Sequence, residues 1–107
     1  MKYIKTFENK EKKYWLVSTK IPRKLLSFGL KNIGLPNNDI NKWCDMIESK
    51  SKECDSICAF NNGNGWGWSY SIYYGQTPEF YRINWGAEFM GILKVTEMEI
   101  DAEKYNM

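Results

Sequence analysis

Residues 61–75 read Asn-Asn-Gly-Asn-Gly-Trp-Gly-Trp-Ser-Tyr-Ser-Ile-Tyr-Tyr-Gly, and this stretch decides which fold the sequence predicts. Its first five residues are all Asn or Gly, which is typical of a turn because both residue types accept a positive φ. Beyond the turn, large apolar residues alternate with small ones, and this two-residue period indicates a strand. One face of the predicted strand carries Trp66, Trp68, Tyr70, Ile72 and Tyr74.

Strand signals also occur on both sides of this stretch. Residues 56–61 predict a short strand before it, and residues 79–85 predict one after it, with Tyr81, Ile83 and Trp85 on the apolar face. Residues 89–100 predict a long last strand whose apolar set changes face, so we expect a bulge or bend near residues 95–97. At the N-terminus, residues 2–7 and 14–20 predict a hairpin around a charged turn at residues 8–13.

Two helices are predicted between these groups of strands. The first begins at Pro22, a residue well suited to the first turn, and ends at Gly34, a natural C-terminal cap. Asn38 or Asp39 would cap the second helix. An apolar stripe at helical spacing marks its buried side, formed by Ile40, Trp43, Cys44 and Ile47.

The order of these elements is β-β-α-α-β-β-β-β. Segregated helices and strands predict an α+β fold with a mainly antiparallel sheet of about four to six strands. The two helices would pack on one face of that sheet. The chain has 107 residues and no linker, so we expect residues 1–107 to form a single globular domain.

Composition narrows the possible functions. The hydrophobic fraction of 43% and the charged fraction of 26% are ordinary for a globular protein. No window approaches the ~20 apolar residues of a transmembrane helix, and the N-terminus lacks the apolar core of a signal peptide. We therefore predict a cytoplasmic protein with no membrane association.

The chain contains no histidine, which excludes Ser-His-Asp catalysis, Cys-His catalysis and histidine-bearing zinc sites. The odd number of cysteines, Cys44, Cys54 and Cys58, favours free thiols in a reducing compartment. Glu97, Glu99 and Asp101 recur at strand period, which is typical of a charged solvent face rather than a catalytic pair. We predict no catalytic residue, no metal, no cofactor and no enzymatic activity.

Charge is distributed unevenly along the sequence. The net charge is +2, but residues 1–31 carry +7 and residues 32–107 carry −5. A basic face that meets an anionic partner and a well-mixed surface in the folded chain both remain open. Nucleic acid is a disfavoured partner, because the aromatic residues 61–78 include no Lys or Arg.

Aromatic residues exceed what a small core requires, so we predict a binding surface on the aromatic hairpin. Rigid aromatic area and a few hydrogen bonds would carry the affinity. The predicted contact residues are Asn62, Asn64, Trp66, Trp68, Tyr70, Tyr73, Tyr74, Gln76, Arg82 and Trp85.

The first functional hypothesis is a small non-enzymatic protein that binds a protein partner. A composition rich in Lys and Asn is typical of AT-rich genomes and suggests a bacterial or phage accessory protein, such as an inhibitor of host defence. The alternatives are a protein that binds or sequesters a small planar ligand, such as a nucleotide signal or a sugar, and a protein that binds single-stranded nucleic acid. The chain would act as a monomer or a homodimer.

Overall fold

The computed structural model describes residues 12–63 and 65–95, which form four strands and three helices. In chain order these are β1 (Lys12–Ser18), α1 (Arg23–Asn32), α2 (Asn37–Lys50), β2 (Ser56–Asn61), β3 (Trp68–Ile72), α3 (Pro78–Trp85) and β4 (Ala87–Ile92). The strand predicted at residues 2–7, most of the charged turn at 8–13, Asn64 and the last strand beyond Val95 lie outside the described residues.

The α+β class is confirmed, and the four-stranded sheet is mixed, so it is not purely antiparallel. Its strand order is β3-β2-β1-β4, with β2 and β3 antiparallel and β1 and β4 parallel. Two neighbouring parallel strands need a long crossover connection. The chain between β1 and β4 is long enough to supply it, because it contains three helices and the β2–β3 hairpin.

The register of the parallel pair shows a bulge in β4. Tyr14 pairs with Phe89, but Trp15 pairs with Gly91, so Met90 is the extra residue. Gly91 has a φ of 130°, which a residue with a side chain rarely adopts. β4 ends at Ile92, before the bulge predicted near residues 95–97.

Residues 79–85 were predicted as a strand, and this prediction is wrong because they belong to α3. Thr77 caps the helix, since its Oγ accepts a hydrogen bond of 3.2 Å from the Phe80 N–H. Pro78 occupies the first turn, and Gly86 ends the helix with a φ of 65°. The described part of the chain therefore has three helices, and the predicted element order fails here.

The described residues divide into two compact units. Residues 12–17, 56–63 and 65–92 form the first, called here the sheet unit. Residues 18–55 and 93–95 form the second, the helical unit. The expectations of one globular domain and of two helices packed on one face of the sheet stay predictions.

Aromatic residues form the core of the sheet unit. Tyr14, Phe60 and Tyr81 are nearly inaccessible to solvent and surround one another. The Tyr14 ring centroid lies 4.7 Å from that of Tyr81 and 5.5 Å from that of Phe60. Tilted aromatic pairs of this kind contribute about 0.5–1.5 kcal/mol beyond the burial of their area. Cys58 and Ala87 complete this core.

The helical unit instead has a mainly aliphatic core, where α1 packs on α2. The buried residues of these two helices follow helical spacing and include Leu26, Leu30, Trp43, Cys44 and Ile47. The stripe predicted on α2 is confirmed at Trp43, Cys44 and Ile47, whereas Ile40 is half-buried. The predicted start of α1 at Pro22 is close to the observed start at Arg23.

Gly29 lies in the middle of α1, where a glycine costs helix stability. The reason is steric. A Cβ at this position would lie 2.8 Å from Val95 Cγ2 and 3.0 Å from Leu93 Cδ2. The missing side chain therefore allows residues 93–95 to pack closely against α1.

Candidate interaction surface

The exposed large hydrophobic side chains of the described residues all belong to the sheet unit. They are Trp66, Tyr70, Tyr74, Phe80, Ile83, Trp85, Met90 and Ile92. A single exposed apolar residue needs no explanation, but a concentration of them in one unit marks a candidate interaction surface.

Charged residues show the opposite distribution. The described sheet unit has five, namely Lys12, Lys13, Glu79, Arg82 and Glu88. The helical unit is of similar described length and has thirteen, namely Lys20, Arg23, Lys24, Lys31, Asp39, Lys42, Asp45, Glu48, Lys50, Lys52, Glu53, Asp55 and Lys94. The sheet unit thus combines few charged residues with many aromatic ones, and this composition resembles that at the centre of protein–protein interfaces.

The turn between β2 and β3 leaves the Trp66 side chain exposed to solvent. The Asn62 N–H donates to the Gly67 carbonyl at 2.9 Å, and the Trp66 N–H donates to the Gly63 carbonyl at 2.8 Å. Gly63, Gly65 and Gly67 all have positive φ values, which Gly adopts without strain. The Trp66 side chain is 76% exposed, so the turn presents an indole ring on a hydrogen-bonded backbone.

Trp68 is half-buried because a second indole packs against it. The ring centroids of Trp68 and Trp15 are 5.6 Å apart with an interplanar angle of 27°, a stacked pair. The strand order puts β2 between β1 and β3, so the two rings meet across β2. The register puts Trp68 on the same face as Tyr70, which is 41% exposed.

Tyr73, Tyr74 and Gln76 lie at the other end of β2. The Tyr73 N–H donates to the carbonyl of Ser56, the first residue of that strand, whereas the turn carrying Trp66 follows its last residue. β2 has 6 residues, and the five steps between its first and last residue, at about 3.3 Å each, place the two ends roughly 17 Å apart. The predicted contact residues therefore do not form one continuous patch.

Gln76 has a structural role that the sequence did not reveal. Its Oε1 accepts hydrogen bonds from the Tyr81 hydroxyl at 2.9 Å and from the Tyr74 N–H at 3.1 Å. The Tyr81 oxygen accepts in turn from the Cys58 thiol at 3.4 Å. Gln76 thus links the exit of β3 to the buried core.

Burial keeps this chain of polar groups neutral. It raises the pKa of the Cys58 thiol above its ordinary value, and it raises the pKa of the Tyr81 hydroxyl as well. A buried thiol held in its protonated form is a poor nucleophile. Cys44 is also buried with a raised pKa, and the three cysteines form no disulfide.

Trp85 and Lys12 lie at the same end of the sheet as the hairpin turn, on the face opposite Trp68. The Lys12 Nζ is 5.4 Å from the ring centroids of both Trp85 and Phe60. Trp85 is 48% exposed, while Arg82 is engaged by an exposed ion pair of 3.3 Å with Glu79.

The structure thus places several of these residues at one end of the sheet, on both of its faces, and this end is called here the hairpin end. It consists of Lys12, Trp15, Asn62, Trp66, Trp68 and Trp85. Sequence reasoning missed Lys12 and Trp15, because their contribution depends on β1 lying beside β2. Asn62 joins the set through its side chain, whose Nδ2 donates to Ser69 Oγ at 3.3 Å.

Within the described ranges, no three Cys, Asp or Glu side chains group closely enough to hold a metal ion. No helix in these ranges has the length and apolar character needed to cross a membrane. The chain matches no family model, and comparison with curated proteins and with solved structures found no match.

Proposed function

We propose that this protein is a non-enzymatic binding protein whose hairpin end docks onto a protein partner. Trp66 is the anchor of this contact, and Asn62 and Trp85 contribute around it. The observation that carries the proposal is the 76% exposure of the Trp66 side chain on a turn fixed by backbone hydrogen bonds.

The energetics favour an anchor of this type. Trp is enriched among the few interface residues whose truncation costs about 2 kcal/mol or more. A side chain on a preorganised turn loses less conformational entropy on binding than one on a loose loop. The stacked Trp15–Trp68 pair adds a rigid apolar surface next to the turn.

The shape of the hairpin end favours a protein over a small planar ligand. Small-molecule sites are concave and bury most of the ligand, whereas Trp66 protrudes. Nucleic acid is favoured even less, since Lys12 is the single cation among the described hairpin-end residues and phosphate binding depends on several. The Lys- and Asn-rich composition supports a bacterial or phage accessory protein or inhibitor as the biological setting.

Two equally exposed aromatic residues provide a matched test. Trp66 is 76% exposed and Tyr74 is 75% exposed, at opposite ends of the sheet. Wild type, Trp66→Ser and Tyr74→Ser are used to capture partners from the native host, and the affinity of each recovered partner is measured by calorimetry. Wild type and Tyr74→Ser should bind alike, while Trp66→Ser should bind at least about 30-fold more weakly, the equivalent of 2 kcal/mol.

Circular dichroism and thermal unfolding of the three proteins serve as the folding control, and all three should agree closely. Equal affinity of wild type and Trp66→Ser for the recovered partner would overturn the proposal. Loss of affinity in Tyr74→Ser alone would move the surface to the opposite end of the sheet.

A further inference from the structure

The helical unit contains a groove that is separate from the hairpin end. Its volume is about 460 Å³, which falls in the range of about 300–1,000 Å³ typical of small-molecule sites. The described residues that line it belong to this unit and are Ser18, Lys20, Ile21, Pro22, Leu25, Leu93, Lys94 and Val95.

The floor of the groove is apolar and fixed by packing. Leu93 is 7% exposed, and both Leu93 and Val95 pack against Gly29 of α1, where a Cβ would collide with them. These two side chains therefore pack closely against α1 beside the groove. An alkyl or aryl group could exclude water from this floor, at about 25 cal/mol for each Å² of apolar area covered.

The rim of the groove is positively charged. Lys20 and Lys94 both line it, and no carboxylate is found among the lining residues that the structure describes. The Lys20 ammonium donates to the Ser51 carbonyl, which orients it and leaves two of its three hydrogens for a ligand. Lys94 forms no ion pair with any residue that the structure describes.

Ser18 adds a neutral donor to the same rim. Its Oγ accepts the Lys20 N–H at 3.0 Å, so the hydroxyl hydrogen is available to donate. Two ammonium groups and a hydroxyl donor favour an anionic acceptor over a neutral one, and a carboxylate fits because it accepts several hydrogen bonds at once.

We propose that this groove binds an amphipathic carboxylate, with its alkyl or aryl part on Leu25, Leu93 and Val95 and its carboxylate between Lys20 and Lys94. This site does not depend on the proposed function of the hairpin end. The two surfaces share no residue and belong to different units.

Octanoate is the probe, and titration of the ¹⁵N-labelled chain of 107 residues followed by NMR is the measurement. Octylamine has the same chain with the opposite charge, and acetate has the same charge without the chain. Octanoate should give saturable shifts of the Ile21, Leu25 and Lys94 amides, and the other two compounds should not.

The substitution Lys94→Gln should weaken octanoate binding about two- to fivefold, the usual range for one exposed charge contact. Lys52→Gln, an exposed lysine of the same unit that does not line the groove, should leave binding unchanged. Absence of saturable shifts at the groove, equal binding of octylamine, or unchanged binding by Lys94→Gln would each overturn the proposal.

Discussion

The sheet unit and the helical unit are built from different side chains. The described sheet unit contains twelve aromatic residues, namely Tyr14, Trp15, Phe60, Trp66, Trp68, Tyr70, Tyr73, Tyr74, Phe80, Tyr81, Trp85 and Phe89. The described helical unit contains only Phe28 and Trp43. Two units of similar size thus reach compact structures with very different amounts of aromatic surface.

The surfaces of the two units differ in the same way. The exposed face of the helical unit carries ion pairs, such as those from Arg23 to Asp45 at 2.8 Å and to Glu48 at 3.0 Å. Pairs this exposed add little stability but keep the surface solvated. The sheet unit has few charges and leaves apolar rings in water instead. The proposed docking of the hairpin end onto a protein partner would account for this aromatic excess.

The largest expected effect is on the free energy of unfolding. Substitution of a buried aromatic residue of the sheet unit should lower it far more than substitution of an exposed one. Phe60 is 4% exposed and lies in the aromatic core. Phe60→Ala should lower the free energy of unfolding by about 3–5 kcal/mol, because it leaves a cavity. Trp66→Ser should change it by no more than about 0.5 kcal/mol. Urea unfolding followed by far-ultraviolet circular dichroism measures both.

If Trp66→Ser destabilised the protein as much as Phe60→Ala, the Trp66 ring would be part of the core. The distinction between core and binding aromatics would then fail. A matched reference in the helical unit is Ile47→Ala, at a fully buried position of α2, which should cost about 2–5 kcal/mol.

The sequence predicted the fold best where one pattern stood alone. Residues 56–61 were predicted as a strand and form β2 with the same bounds. The stripe at Trp43, Cys44 and Ile47 has a period that only a helix satisfies, and all three are buried. The prediction failed at residues 79–85, where two patterns overlapped. Alternating Tyr81, Ile83 and Trp85 favoured a strand, while Thr77, Pro78 and Gly86 are the signals of a short helix.

The candidate site could be predicted only in part, for a topological reason. The hairpin turn follows from local residues, whereas the exposure of Trp66 was not predicted and is known from the structure. The stack of Trp15 on Trp68 depends on the strand order, which local patterns do not determine. The same applies to Gln76, whose bond to Tyr81 exists only because residues 79–85 form a helix instead of a strand.

The second-largest expected effect is a loss of free energy of unfolding at alkaline pH, caused by a buried tyrosine of the sheet unit. Burial, the largest cause, raises the pKa of Tyr14 from 10.0 to about 12, and the nearby Cys58 and Tyr73 add to the shift. Below pH 10 the hydroxyl is protonated in both the folded and the unfolded protein. Between pH 10 and 12 only the unfolded protein loses the proton, so stability falls as pH rises.

This loss should amount to roughly 1–3 kcal/mol for Tyr14 by pH 12. Tyr14→Phe should remove that part of the decline, and urea unfolding of both proteins at intervals from pH 7 to 12 measures it. Tyr81, whose pKa burial also raises, should leave a residual slope in the variant. Identical slopes in wild type and Tyr14→Phe would contradict the burial of the Tyr14 hydroxyl.

The smallest expected effect on the free energy of unfolding concerns the N-terminal caps of the helices, which differ between the two units. α3 is capped by the Thr77 side chain, whereas α1 and α2 follow Pro22 and Pro36 without a side-chain cap. Thr77→Ala should lower the free energy of unfolding by about 1 kcal/mol, and Thr77→Ser should restore most of it. Asn38→Ala in the first turn of α2 should change it by less than about 0.5 kcal/mol, because no cap is lost. Chemical unfolding of the three variants provides the comparison. If Thr77→Ala were as stable as wild type, the Thr77 side chain would not stabilise α3. The signals at Thr77, Pro78 and Gly86 would then not explain why residues 79–85 form a helix instead of the predicted strand.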